Sequence, residues 1–71
     1  AIPKIKALWQ AVLALLHDRI YTECYHFLGL GHITPDGLRH LTYLYKTYHT
    51  MGGNGTGTEL YNRAKALPIH D

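Results

Sequence analysis

Apolar residues recur every third or fourth position from Ile5 to Phe27, at Ile5, Leu8, Trp9, Val12, Leu16, Ile20, Cys24 and Phe27. That spacing lays them along one stripe of a 3.6-residue helix and predicts a first helix over residues 4–28. Pro3 suits its first turn, where a missing N–H costs nothing, and Gly29 and Gly31 are expected to end it. At 1.5 Å per residue such a helix is about 37 Å long, more than a chain this short needs for one globule. Part of it is therefore expected to bury against another protomer.

A second start signal stands at Thr34-Pro35-Asp36, with Thr34 as cap, Pro35 in the first helical position and Asp36 at the positive end of the dipole. Leu38, Leu41, Leu44, Tyr45, Tyr48 and Met51 then share one face, and Arg39, Tyr43, Lys46 and Thr50 the other, predicting a helix over 35–51 closed by Gly52 or Gly53. The third helix, over 57–67, presents Leu60, Tyr61, Ala64 and Leu67 and stops at Pro68. Its start is marked by Thr56-Gly-Thr-Glu59, the spacing of a capping box, with Thr58 as an alternative cap. About ten residues do not hold a helix in water, so this one must dock on the others. No strand-like alternation and no internal repeat occurs. The fold class expected is all-α, a single small three-helix domain over residues 1–71.

Composition narrows the chemistry. The chain has 71 residues, and a domain of that size buries only about 60% of the surface its unfolded form exposes, so self-association is a natural stabiliser. One cysteine, Cys24, permits neither an internal disulfide nor a cysteine-rich zinc site. Seven Lys+Arg against five Asp+Glu give +2, far from the basic surface that binds duplex nucleic acid. Six histidines make the charge rise on acidification. The longest apolar run, Ala11 to Leu16, is too short to span a membrane, and Lys4 and Lys6 lead into a helix rather than a cleavable signal, which suggests a soluble intracellular protein.

The segment GGNGTGTE, from Gly52 to Glu59, holds four glycines in six positions at the start of the third helix. Two readings stand side by side. Backbone N–H groups at a helix N-terminus, with the Thr56 and Thr58 hydroxyls, suit an anion, and glycines let it come close. The plainer reading is a corner: Gly52 and Gly53 end one helix, Asn54-Gly55 turns, and Thr56 starts the next. The segment matches neither a P-loop nor a dinucleotide fingerprint, because Thr58 stands where lysine is needed and no strand precedes it. Glu59 also competes with an anion.

The segment YLYKTYH, residues 43–49, places Tyr45 and Tyr48 on the core face, while Tyr43 is either solvated or a platform for a base. His49 caps a carbonyl or meets a phosphate. Tyr21 and Tyr25 lie one turn apart on the flank of the first helix, as tyrosines at a subunit interface do, and Trp9 is a core or interface anchor. Cys24, His17 and His26 do not gather at a metal-ligand spacing, Cys24 sits on the packed stripe where thiols are inert, and no carboxylate pair stands out. No enzyme, metal or cofactor is implied.

The C-terminal half, LTYLYKTYHTMGGNGTGTELYNRAKALPI, resembles a group of small helical proteins encoded by phages and prophages of Gram-positive bacteria. They share a Leu-x-x-Leu-Tyr, His, Gly-Gly-Asn-Gly-Thr-Gly and Leu-Pro-Ile pattern, here Leu41, Leu44, Tyr45, His49, Gly52 to Gly57, Leu67, Pro68 and Ile69. The resemblance covers residues 8 to 69, most clearly 41 to 69, and implies a phage origin and a host bacterial cytoplasm but no activity.

Two functions are expected on these grounds. In the first, an oligomer binds a nucleotide-like or other anionic ligand through Gly53, Asn54, Gly55, Thr56, Gly57, Thr58 and His49, with Tyr43 or Tyr48 against a base and Arg39, Lys46 or Arg63 for phosphate charge. In a phage it would sequester a host defence signal. In the second, the loop is a corner, and the long helix with Trp9, Tyr21 and Tyr25 docks on a phage or host protein, as a virion component, lysis accessory or defence inhibitor.

Overall fold

The computed structural model describes residues 3–53 and 55–70. It consists of three helices, α1 (Pro3–Leu30), α2 (Pro35–Thr50) and α3 (Thr56–Lys65), the all-α architecture expected. The core collects Ile20, Cys24 and Phe27 from α1, Ile33 from the turn, Leu41 and Tyr48 from α2, and Leu60, Tyr61 and Ala64 from α3. The α1 residues are four and three apart, Leu41 and Tyr48 two turns apart, and Leu60, Tyr61 and Ala64 within about one turn, so each helix turns one face inward.

The lengths are mismatched. By rise per residue α1 is about 42 Å long, whereas α2 covers about 24 Å and α3 about 15 Å. The body formed by α2 and α3 packs on the C-terminal part of α1, and residues 3–12 project beyond it, all of them exposed. The molecule is accordingly elongated, 49 × 19 × 15 Å. Only the second half of the first helix's apolar stripe is core. Trp9, expected as a core or interface anchor, is 52% exposed, and Ile5 and Leu8 are each 65% exposed.

The ends of α2 agree with expectation, whereas those of α1 and α3 differ. Gly29 does not stop α1, which runs on to Leu30; Gly31, with φ +80°, turns the chain and donates its N–H to the Phe27 carbonyl at 2.9 Å. Thr34 caps α2 as foreseen, its hydroxyl accepting from the Gly37 N–H at 2.9 Å. A side chain at Gly37 would run into the Phe27 ring, so this glycine lets the two helices close together. At the other end of α2 the Gly53 N–H donates to the Tyr48 carbonyl (2.9 Å) and the Gly52 N–H to the His49 carbonyl (3.0 Å), with Gly52 at φ +97°. Those two bonds are the Schellman pattern, which satisfies the last carbonyls of the helix.

Helix α3 lacks the expected capping box. Gly55 occupies the cap position at φ 79°, ψ −127°, and no side chain caps the first amides. That backbone conformation is open to glycine and strained in any other residue. It draws Thr56 into the first helical turn, so Thr56 cannot cap. The helix ends at Lys65, and Ala66 forms its C-cap. Beyond Pro68 the tail returns to the α1–α2 turn in an isolated parallel bridge between Ile33 and Ile69. The Ile33 N–H donates to the Pro68 carbonyl at 2.9 Å and the His70 N–H to the Ile33 carbonyl at 3.1 Å. The His32 and His70 rings stack alongside, 4.3 Å apart.

Candidate functional site

The glycine segment is organised around Tyr48. This ring is 5% exposed and lies under the loop that follows its own helix. A Cβ on Gly53 would lie within 2.5 Å of Tyr48 Cε1, Cζ and Cε2, and one on Gly57 would lie 2.9 Å from Cε2. Gly53 and Gly57 are both buried, and their bare backbones form the wall against the ring. Gly52 and Gly55 have open space around them but hold positive φ. Four glycines thus divide into two that turn the chain and two that let it touch Tyr48. Asn54 lies outside the described residues.

The remaining loop donors are partly engaged. The Thr58 hydroxyl is 3.0 Å from the Tyr45 hydroxyl, and the Thr42 hydroxyl is 3.1 Å from that of Tyr61. The Tyr45 and Tyr61 rings stack 4.2 Å apart at 8°, with the Lys65 ammonium 5.1 Å from the Tyr61 centroid. This polar-tipped stack joins α2 to α3 while keeping each hydroxyl paired. His49 is exposed and stacks on Tyr45 at 5.7 Å. Thr56 is exposed, as are Lys46 and Arg63. Tyr43 is 70% exposed and sits two residues from Tyr45, about 200° around the helix, so its ring faces away from α3. The structure therefore gathers His49, Thr58 and the glycines at one end of the body and leaves Tyr43 on the opposite face of α2.

A second grouping lies on the other side of Tyr48. An open hollow of about 340 Å³ is lined by Gln10, Leu13, Ala14, His17 and Tyr48, where the arm leaves the body. His17 continues from it into a row of rings, 6.0 Å from Tyr48 and 4.3 Å from Tyr21, with Tyr25 5.8 Å further on. Tyr21 is half-buried in this row and Tyr25 is 56% exposed. Gln10, Leu13 and Ala14 were not legible as a site, because nothing in the pattern marks where α2 ends against α1.

Among the described residues, five of the nine exposed large hydrophobic side chains lie between Ile5 and Leu15. Ile5, Leu8, Trp9, Val12 and Leu15 are 37–68% exposed and lie together on one face of α1. Leu15 falls outside the i+4 run of Val12, Leu16 and Ile20. Its position seven residues after Leu8 is what aligns it with the stripe. Lys4, Lys6, Asp18 and Arg19 flank the stripe, all exposed.

Among the described residues no three His, Cys, Asp or Glu side chains come together as a metal site. Cys24 is fully buried, and burial, aided by the Glu23 carboxylate, pushes its thiol from 9.0 up to about 11. A thiol held neutral in this way is a poor nucleophile. No helix among the described residues is long and apolar enough to cross a membrane. No protein-family model, curated protein or solved structure matches this chain.

Proposed function

We propose that this chain is a non-enzymatic protein-interaction module whose α1 arm is the docking element. The exposed stripe of Ile5, Leu8, Trp9, Val12 and Leu15 carries the reading. It lies on a face of α1 beside the one that Ile20, Cys24 and Phe27 turn into the core, so the helix packs against its own body on one face and presents a second apolar face. Burying a large apolar side chain stabilises by about 1.5–3 kcal/mol, which is the gain the arm offers a partner. Contiguous apolar surface on this scale marks interaction sites rather than ordinary solvated faces.

The loop-centred alternative, a nucleotide-like anion held at Gly52 to Thr58, has less to support it. Each described glycine there has a conformational or packing reason, and the Thr58 hydroxyl is shared with Tyr45. The setting of the module, a phage-infected bacterial cell with a phage or host protein as partner, rests on the C-terminal resemblance alone.

Site-specific photocrosslinking in a producing bacterial cell tests the docking reading. A crosslinker at position 12 is expected to capture one discrete protein product, and Leu8→Glu to abolish it. A crosslinker at the exposed position 43 is expected to capture none. Equal capture from positions 12 and 43, or capture indifferent to Leu8→Glu, would remove the arm from the function.

A further inference from the structure

The arm's exposed apolar residues follow a heptad. Ile5, Leu8, Val12 and Leu15 are spaced three, four and three residues apart, and the next two seam positions are Arg19 and Thr22. Lettered as a heptad, Ile5 and Val12 are at a, Leu8 and Leu15 at d, and polar residues close the seam beyond Leu15. Trp9 and Leu16 fall at e, and Lys4, Ala11 and Asp18 at g. Seam and core face are distinct: Ile20 and Cys24 are fully buried, while Leu8 and Leu15 are 65% and 68% exposed on the same helix. A helix can therefore lie along the seam without displacing α2 or α3.

Resting on the docking reading above, we infer that the occupant of this seam is a second copy of the same chain, its α1 running antiparallel. Three observations converge on that partner. The seam is self-complementary under reversal, since a two-fold axis beside Gln10 sets Ile5 against Leu15 of the second copy and Leu8 against Val12. The charges agree as well. An antiparallel pair faces the g flank of one helix with the g flank of the other, which brings Lys4 to Asp18 of the second copy. A parallel pair instead faces g with e, bringing Asp18 toward Glu23, a like charge. The area is also sufficient: the five exposed stripe residues present on the order of 500 Å² per copy, so two copies bury about 1,000 Å², the lower bound of a specific interface.

Helix formation adds no cost on association, because the arm is already the continuation of a helix anchored in the body. Lys4 and Asp18 are fourteen residues apart, about 21 Å along one helix, and cannot meet within a chain. The side chain of Asp18 is 84% exposed, with the His17 Nδ1 at 3.8 Å as its neighbour. Any energetic coupling between positions 4 and 18 must therefore act between copies.

Sedimentation equilibrium over about three decades of concentration, with acrylamide quenching of the lone Trp9 recorded in parallel, tests the pairing. The unmodified chain is expected to double its 8.1 kDa mass and to shield Trp9 as it does so. Leu8→Glu is expected to hold it monomeric with its helicity unchanged. Lys4→Glu and Asp18→Lys are each expected to weaken the dimer several-fold, since two symmetric copies of an exposed pair are lost, and the double variant to recover it. Single effects that add in the double variant would overturn the antiparallel arrangement. A monomer at every concentration would overturn self-association, while a Leu8-dependent crosslink to a different protein would leave the docking reading standing.

Discussion

Gly53→Ala separates the packing role of the glycine segment from any ligand role. The new methyl group would fall within 2.5 Å of three Tyr48 ring carbons, about 1 Å inside ordinary contact. Tyr48 cannot swing aside freely, because its ring is 5% exposed with Gly57 against its edge and His17 6.0 Å away. Overpacking of this kind costs about 1–3 kcal/mol, and the rigid ring places it at about 2. A domain of this size loses about 4–8 °C in Tm per kcal/mol, so a fall of about 8–16 °C is expected. Urea unfolding followed by far-UV circular dichroism gives the free energy directly. Repeating the substitution in Tyr48→Leu, which removes the ring but keeps the site apolar, should reduce the penalty by about 1 kcal/mol or more. Gly52→Ala serves as control: it has open space but φ +97°, so its cost of about 1 kcal/mol should be the same in both backgrounds. Equal Gly53→Ala penalties with and without the Tyr48 ring would refute the account of the loop.

Other consequences can be checked separately. Thr34→Ala removes the side-chain acceptor for the Gly37 N–H and should cost about 1 kcal/mol, read as a Tm loss of about 4–8 °C. Native Cys24 should react with a disulfide reagent at least about 100-fold more slowly than the unfolded chain, because labelling requires opening of the core. The fold favours the neutral thiol, so the Cys24 contribution to stability is complete below pH 9.0 and should be lost as pH rises through about 11, visible as a falling Tm in Cys24 relative to Cys24→Ala. Mono-, di- and cyclic nucleotides and inorganic phosphate should leave Tm unchanged; an upward shift of several degrees abolished by Gly55→Val would restore the loop as an anion cradle.

Helical periodicity made three elements and most of the core legible. Leu41, Tyr48, Leu60, Tyr61 and Ala64 all face inward as their spacing required. The pattern did not say how much of the first stripe the body would cover, since α1 keeps one period from Ile5 to Phe27 whether or not a neighbour is present. The start of α3 departs from the capping-box expectation for a local reason. Thr56 and Glu59 have capping-box spacing, but the backbone of Gly55 fixes where the helix begins. The glycines suit an anion site or a corner equally by sequence, and the pattern does not show that Gly53 and Gly57 also lie against a ring brought over them by tertiary packing. Such a contact leaves no periodic trace. The same holds for the pairing of Ile33 with Ile69, which depends on the chain's return after Pro68.

That return has a kinetic meaning. The two backbone hydrogen bonds between the tail and Ile33 close a loop containing all of α2 and α3, and such a closure gives its reward only after the intervening helices are in place. The tail is therefore expected to lock late and to release early. Amide exchange at Ile33 and His70 would report a partial opening in which the tail has parted while Ile20, Cys24 and Leu41 remain packed. A protease meeting the folded protein would find its earliest purchase there, at the latch rather than in the helices it fastens.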